Sequence, residues 1–378
     1  MGRHTETFDI PEAYRAQRPD SFEFRHAKSK DKKPKKPKSP LWARLCVIFG
    51  SVFIVMASLA YGGHLFLEQR YDKNIKRADL LGNNRKENQG KNVKFPLNFL
   101  IIGTDKRTPE DYDPNDPSSR TASVKGERSD TIMLVHIPQD KSKAYVVSIP
   151  RDTDIEIPPS ADGKFKGGKD KINAAYFFGG APLLVSTINK LMGVTIDYPV
   201  IVHFKAVREL TDAVGGVDVV IDKQVQDPRT KIVFQAGPQH LDGKTAEAYV
   251  RQRYGLLNGD YDRQKRQQQF VFALMNRITQ THVVTNPLKL DKLLRVVTSN
   301  ITVDQSMPVQ DMALALKGLS PGDATFMGLK MEPGRKIGGV SYEFADAAAA
   351  KELGDAINND TMPDYLLKYP PNNVTSGR

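Results

Sequence analysis

Cysteine is nearly absent. The 378 residues contain one, Cys46, so no intrachain disulfide can form and everything downstream must be held by its core alone. This also removes a cysteine nucleophile from residues 47–378. Histidine is scarce, and His136, His203, His240 and His282 lack the short spacings of a zinc site. There is no G-x-S-x-G nucleophile elbow and no Walker-type phosphate loop. No internal repeat is found, which speaks against a solenoid or propeller.

The chain does have one long uncharged apolar run. Residues 45–63, LCVIFGSVFIVMASLAYGG, contain no charge and no proline, and the run continues past His64 into Leu65, Phe66 and Leu67. About 20 apolar residues cross the hydrocarbon core of a bilayer. Trp42 and Tyr61 stand near its ends, where amphipathic rings prefer the headgroup level. The run has no polar face, which disfavours a buried core helix. A cleaved secretory signal fits less well, because the apolar core is long and no clean small-x-small site follows. Lys28, Lys30, Lys32, Lys33, Lys35, Lys36, Lys38 and Arg44 precede the run. A Lys/Arg excess marks the cytoplasmic flank. The expectation is a single-pass cell-membrane protein with a cytoplasmic N-terminus and its bulk outside.

Composition suggests the divisions. Residues 1–40 are polar and rich in Pro and Lys, with 11 Lys/Arg against 6 Asp/Glu. They read as a disordered basic tail, a topology signal rather than a nucleic-acid-binding fold. A transmembrane helix follows over 41–67, then a charged juxtamembrane linker over 68–96. An extracytoplasmic domain is expected over 97–365, with a short tail over 366–378. The formal net charge is +11, of which +5 belongs to residues 45–378. A mildly basic external domain suits an anionic ligand.

Within that domain, short Val/Ile-rich runs have the length of strands: 97–102, 131–137, 144–149, 198–204 and 217–221. Helical spacing appears over 181–191, 204–214, 243–253, 263–280, 286–297, 307–317 and 344–358. Strands interleaved with helices predict an α/β fold, a layered α-β-α domain with a central mixed sheet. Residues 108–127 and 155–170 read as Pro- and Gly-containing loops.

Charged residues gather at the ends of these strands, where open α/β sheets place ligands. The first strand runs into Asp105, Lys106 and Arg107, and the second is introduced by Arg128 and Asp130. The third runs into Arg151 and Asp152. Lys171, Arg251, Arg253, Asp260, Arg263 and Gln267 follow. Arginines offer planar forks for phosphate oxygens. Aspartates offer hard oxygens suited to Mg²⁺, which is typically held by one or two carboxylates plus substrate phosphates. Arginines and a divalent cation together clamp a pyrophosphate leaving group. Taken singly, each of these residues also reads as a turn or a solvated helix face.

Their combination and order resemble the LytR–CpsA–Psr family. The matching stretches are NFLIIGTDKR (98–107), RSDTIMLVHI (128–137), VVSIPRDT (146–153), DKINAAYFFGG (170–180), FKAVRELTDAVGGVDVVI (204–221) and LDGKTAEAYVRQRYGLLNGDYDRQKRQQQF (241–270). The resemblance implies an enzyme of Gram-positive envelopes, a phosphotransferase. It would take a glycopolymer (teichoic acid, capsule or arabinogalactan) from a polyprenyl-pyrophosphate carrier and attach it to peptidoglycan through a phosphodiester. It further implies Mg²⁺, with Mn²⁺ as a substitute, at Asp105 and Asp130. It places Arg151, Arg251, Arg253 and Arg263 on the pyrophosphate with Gln267 beside them, and makes Arg107, Arg128, Lys171 and Asp260 weaker carry-overs. The loop 254–259, YGLLNG, lacks the extra arginine that some members carry there. A general base is not evident; Asp152 and Asp260 are the acidic candidates.

A prenyl tail needs an apolar enclosure, since each buried CH₂ contributes roughly 0.8 kcal/mol. Phe177, Phe178, Val200, Val202, Val271, Phe272 and Leu274 are candidates to line one, although apolar residues at these periods also read as ordinary core. Three other functions compete. Hydrolysis of polyprenyl pyrophosphate would use the same residues. A module that only presents the lipid-linked polymer would need no turnover. A membrane-bound transcriptional regulator would need a cytoplasmic DNA-binding fold, which the short basic tail does not supply.

Overall fold

A computed structural model describes residues 74–86, 90, 93–104, 129–228, 230–257, 259–281, 286–309, 312 and 319–371. All belong to the unit Tyr61–Arg378. The expected basic tail, the transmembrane helix, loop 108–127 and most of the helix expected at 307–317 lie outside the described residues.

The centre is a mixed sheet. Its strands are β1 (Lys76–Ala78), β2 (Leu97–Thr104), β3 (Ser129–Ile137), β4 (Ala144–Ile149), β7 (Tyr198–His203), β12 (Ile301–Asp304) and β13 (Ala324–Gly328). They lie in the order β1-β12-β7-β2-β3-β4-β13. β2 pairs antiparallel with β3 and parallel with β7, and β3 pairs antiparallel with β4. β2 and β3 are apolar on both sides because both faces of the sheet are covered. Leu100, Ile102, Ile132 and Leu134 face one core, while Met133, Val135 and Ile101 face another.

The first core is closed by helix α1 (Ile172–Met192), the hairpin β5 (Asp154–Ile157) and β6 (Gly168–Lys171), and helices α6 (Ala347–Asn358) and α7 (Met362–Lys368). α1 is broken after its second turn. Gly179 and Gly180 leave helical geometry, Gly180 with φ 65°, and Pro182 follows. Only glycine adopts that φ without strain. On the other face, helix α4 (Asp260–Gln280) lays Val271 and Phe272 against Met133, Val146 and Phe326.

A satellite core lies beyond α4. It joins α2 (Lys205–Val214), α3 (Gly243–Arg251), α4 and the hairpin of β8 (Val217–Ile221) with β11 (Gly237–Leu241). Helix α5 (Pro287–Asn300) adds Leu293 to it. The small strands β9 (Val225–Gln226) and β10 (Val233–Phe234) pair beside it. The hairpin β14 (Met331–Ile337) and β15 (Val340–Ala345) completes the chain order.

The layered mixed-sheet expectation agrees with this architecture, with three differences. The run 217–221 is a strand, but it pairs with β11 outside the central sheet. Its alternating burial shows one face on the satellite core and one toward solvent. The segment 155–170, expected as a loop, carries β5 and β6, because Ile155 and Ile157 reach the main core. Residues 75–86, expected within the linker, are built into the domain. β1 forms the sheet edge beside β12, Ile75, Leu80 and Leu81 are buried, and the fully buried Asp304 accepts from the Leu80 and Leu81 amides.

Candidate active site

The strand directions bring the expected residues to one edge. Because β3 is antiparallel to both β2 and β4, the end of β2, the start of β3 and the end of β4 coincide, with Thr104 opposite Ser129 and Ile132 opposite Ile149. Asp130 projects from the start of β3 and Arg151 follows the end of β4. Lys171 ends β6 where α1 begins. Arg251 ends α3, Arg253 lies just beyond it, and Asp260 and Arg263 form the first turn of α4.

These side chains form one ion-pair network. Arg151 donates to Asp130 through Nη1, and its Nε lies 3.7 Å from Asp260 Oδ1 and 3.8 Å from Asp152 Oδ2. Asp152 is the hub. Its Oδ1 meets Lys171 Nζ at 3.0 Å and its Oδ2 meets Arg253 Nη2 at 3.5 Å. Arg263 pairs with Asp260 and donates to the Asp130 carbonyl at 3.4 Å. Arg251 stands to one side, bound to Glu247 at 2.9 Å and stacked over Phe204. Glu247 in turn accepts from Arg208. Gln267 donates to the Val250 carbonyl at 3.3 Å, against the end of α3.

Burial makes this network costly unless it is filled. Arg263 is 5% exposed and Asp260 is 7% exposed. An uncompensated buried ion costs several kcal/mol, and a pair recovers this only when its remaining hydrogen-bonding groups are also satisfied. They are not: Arg151 Nε, Arg263 Nε, Ser129 Oγ and Asp260 Oδ1 are buried without a hydrogen-bond partner. Burial pushes the Arg151 guanidinium down, but Asp130, Asp260 and Asp152 outweigh it and raise its pKa above the ordinary arginine value. Burial holds Arg263 below that value, with Asp260 opposing the shift and Arg151 adding to it. Several cations with spare donors, crowded at one edge, suit a ligand with many acceptor oxygens.

A divalent cation fits the donor set in part. Among the described residues no three His, Cys, Asp or Glu side chains gather as a metal site. Asp105 lies outside the described residues. Asp130 supplies one hard oxygen donor, of the kind used by a Mg²⁺ held mainly by substrate phosphates. Arg107 and Arg128 also lie outside the described residues.

The network therefore unites Asp130, Arg151, Lys171, Arg253, Asp260 and Arg263. Sequence reasoning passed over Asp152 as a cation holder, although its place directly after Arg151 was a signal. It also missed the β14–β15 hairpin, whose Glu343 accepts from the Tyr261 hydroxyl at 2.8 Å and whose Tyr342 ring lies under Lys171. No local pattern in 331–345 points to the site. The apolar candidates divide. Val271 and Phe272 lie on one face of the central sheet with Met133, Val146 and Phe326, and Val200 and Val202 adjoin through Ile101. Leu274 belongs to the satellite core, and Phe178 lies on the opposite face, stacked on Phe165 with Phe177 edge-on to it.

The LytR_cpsA_psr family model matches residues 65–359. The chain belongs to the LytR–CpsA–Psr family. Among its relatives, the cell wall biosynthesis protein LcpA of Corynebacterium glutamicum is 31% identical over 271 residues, covering 65% of this chain and 52% of that one. The polyisoprenyl-teichoic acid–peptidoglycan teichoic acid transferase TagU of Enterococcus faecalis is 28% identical over 318 residues, covering 83% and 95%. The crystal structure of B. subtilis TagV superposes with a TM-score of 0.56 at 25% identity, covering 72% of this chain and 99% of that one. The chain spans about half the length of the corynebacterial relatives it matches. Among the described residues no helix is long and apolar enough to cross a membrane.

Proposed function

We propose that this chain transfers a glycopolymer from a polyprenyl-pyrophosphate carrier to peptidoglycan, leaving a phosphodiester link. The observation that carries the reading is the buried arginine network with unspent N–H groups at the strand ends, from which helix α4 runs on to the apolar layer of Val271, Phe272 and Phe326. The names of the teichoic acid transferases among its relatives support the same chemistry.

In this reading the donor's phosphates replace aspartates as partners of Arg151, Arg253 and Arg263. The acceptor hydroxyl oxygen forms a bond to the sugar-bearing phosphorus and gives up its proton, which water or the departing phosphate takes up. The bond from that phosphorus to the bridging oxygen breaks, and prenyl phosphate leaves with the electron pair. The arginines are already in place where this charge builds, so little reorganisation is needed. Asp152 and Asp260 both hold cations, so their first task is to position the arginines. Asp130 and Asp105 would hold Mg²⁺ or Mn²⁺, which when bound neutralises phosphate charge. The prenyl tail would lie along the apolar layer under α4. The transmembrane helix at 41–67 would tether the domain outside the membrane that presents the donor, raising its effective concentration.

The test uses the full chain in detergent with Mg²⁺, a polyprenyl-pyrophosphate-linked glycopolymer and peptidoglycan. Polymer joined to peptidoglycan through a phosphodiester is the expected product. Released phosphate without conjugate identifies a hydrolase instead. Donor binding with neither product leaves only a presenting module. A reporter fused after Arg378 should be active outside the cytoplasm; activity only inside would sink the reading.

A further inference from the structure

Arg266 takes no part in the site network, yet it is only 8% exposed. It sits one turn along α4 from Arg263 but points into the satellite core. Its guanidinium lies 4.5 Å from the Tyr249 ring centroid and 5.4 Å from that of Phe234. Its Nη1 donates to the side-chain carbonyl of Gln252. A buried guanidinium is an expensive way to fill a core, since an apolar side chain of similar volume is often as stabilising. Its hydrogen bond is therefore the feature to explain.

Gln252 is the residue between Arg251 and Arg253, and it is 2% exposed. Its amide N–H donates to the Ala248 carbonyl and closes α3. Its own backbone is extended, with φ −62° and ψ 128°. The chain therefore leaves the helix at this residue, which sends Arg251 toward Glu247 and Phe204, and Arg253 toward Asp152. The Gln252 side chain has both ends bound. Its oxygen accepts from Arg266, and its Nε2 donates to the Tyr254 carbonyl at 3.1 Å. One buried glutamine between the two arginines is thus tied at one end to a buried arginine and at the other to the chain just after Arg253.

We propose that Arg266 is a positioning residue: through Gln252 it sets how Arg251 and Arg253 present their guanidinium groups to the donor's phosphates. This rests on the transfer reading only in naming the ligand as a polyprenyl pyrophosphate. Bidentate binding tolerates little angular error, and about 1 Å of misplacement can cost about a hundredfold. Arg266→Met keeps the bulk and removes the donor. Gln252→Leu removes both of the clamp's hydrogen bonds.

The experiment measures farnesyl pyrophosphate binding to the full chain by calorimetry, with transfer kinetics and thermal unfolding beside it. Arg266→Met and Gln252→Leu should each weaken binding about tenfold or more. The loss should fall on the donor's KM and kcat, with the acceptor's KM unchanged. The double variant should be no worse than either single one, because both cut the same link. Arg266→Lys should recover part of the binding. Wild-type affinity in both single variants overturns the proposal, and so do losses that multiply in the double variant. Losses of affinity that follow the melting temperature alone also overturn it. If Arg266→Met fails to fold, Gln252→Leu against Gln252→Leu with Arg266→Lys decides the same point. A wild-type chain that binds farnesyl pyrophosphate but transfers nothing would fail the transfer reading and leave this comparison intact.

Discussion

Arg151 and Asp130 are bound to each other across the mouth of the site, a cation expected on the pyrophosphate paired with a carboxylate expected on the metal. Donor and Mg²⁺ binding would separate them, each taking a new partner of opposite charge. Three predictions about chemistry build on this pair and its neighbours, and two concern stability away from it.

Asp130→Asn should raise the Mg²⁺ concentration needed for half-maximal transfer by at least about tenfold, the lower end of what even an outer-shell partner contributes. Chelation should abolish transfer by the wild type, and added Mg²⁺ should restore it. A titration of initial rate against Mg²⁺ checks both. An unchanged requirement would remove Asp130 from the metal.

Arg151→Lys keeps a positive charge beside Asp130, Asp152 and Asp260, so the fold should survive. The planar fork is lost, and with it a preorganised donor at the leaving group. The turnover number should fall by about 10²–10³, while the melting temperature changes little. Steady-state kinetics beside a thermal scan separate the two effects.

Phe272 meets Phe326 edge-on, with ring centroids 6.3 Å apart, in the layer assigned to the prenyl tail. Phe272→Ser should weaken binding of long-chain polyprenyl donors by about 1.5–3 kcal/mol, the contribution of one buried large side chain. Short-chain donors should be little affected. Equal losses for both lengths would mean ordinary core damage.

His136 is fully buried, between Asn98 at 2.8 Å and Asp360 at 3.3 Å. Burial lowers its pKa from the ordinary 6.5, with Asp360 pulling the other way. The unfolded chain therefore binds the proton first as pH falls. Stability is lost as pH drops below about 6.5, until the folded pKa is passed. The slope in that window has an upper limit of about 1.4 kcal/mol per pH unit for one proton. Melting temperature against pH should flatten there in His136→Asn.

A last prediction concerns the fold. A Cβ on Gly354 of α6 would lie 1.6 Å from the Met192 carbonyl oxygen at the end of α1. The obstacle is backbone, which cannot swing aside. Gly354→Ala should destabilise by about 1–3 kcal/mol or more through overpacking. Donor binding well below the new melting point should be unaltered, because the site lies at the sheet edge rather than at this helix contact.

How much was legible depends on how local the cause was. Strands β2, β3, β4 and β7 were readable from their apolar runs, and α2 to α6 from helical spacing, because burial writes itself into local periodicity. The motifs carrying Asp130, Arg151, Lys171, Arg253, Asp260 and Arg263 were readable too, since each is a short contiguous string. The sheet pairing of β1 was not readable, because three residues of KRA gain their place from β12 more than two hundred positions away. Nor was the role of Asp152, whose partners come from β6 and the end of α3. The same holds for Glu343 against Tyr261 and for Arg266 against Gln252. The amino-acid sequence by itself determined the family to which the chain belongs and which segments bury their faces. Only the tertiary structure decided which carboxylate holds which cation, because ion pairs are set by distance and burial, and neither is a property of neighbours in the chain.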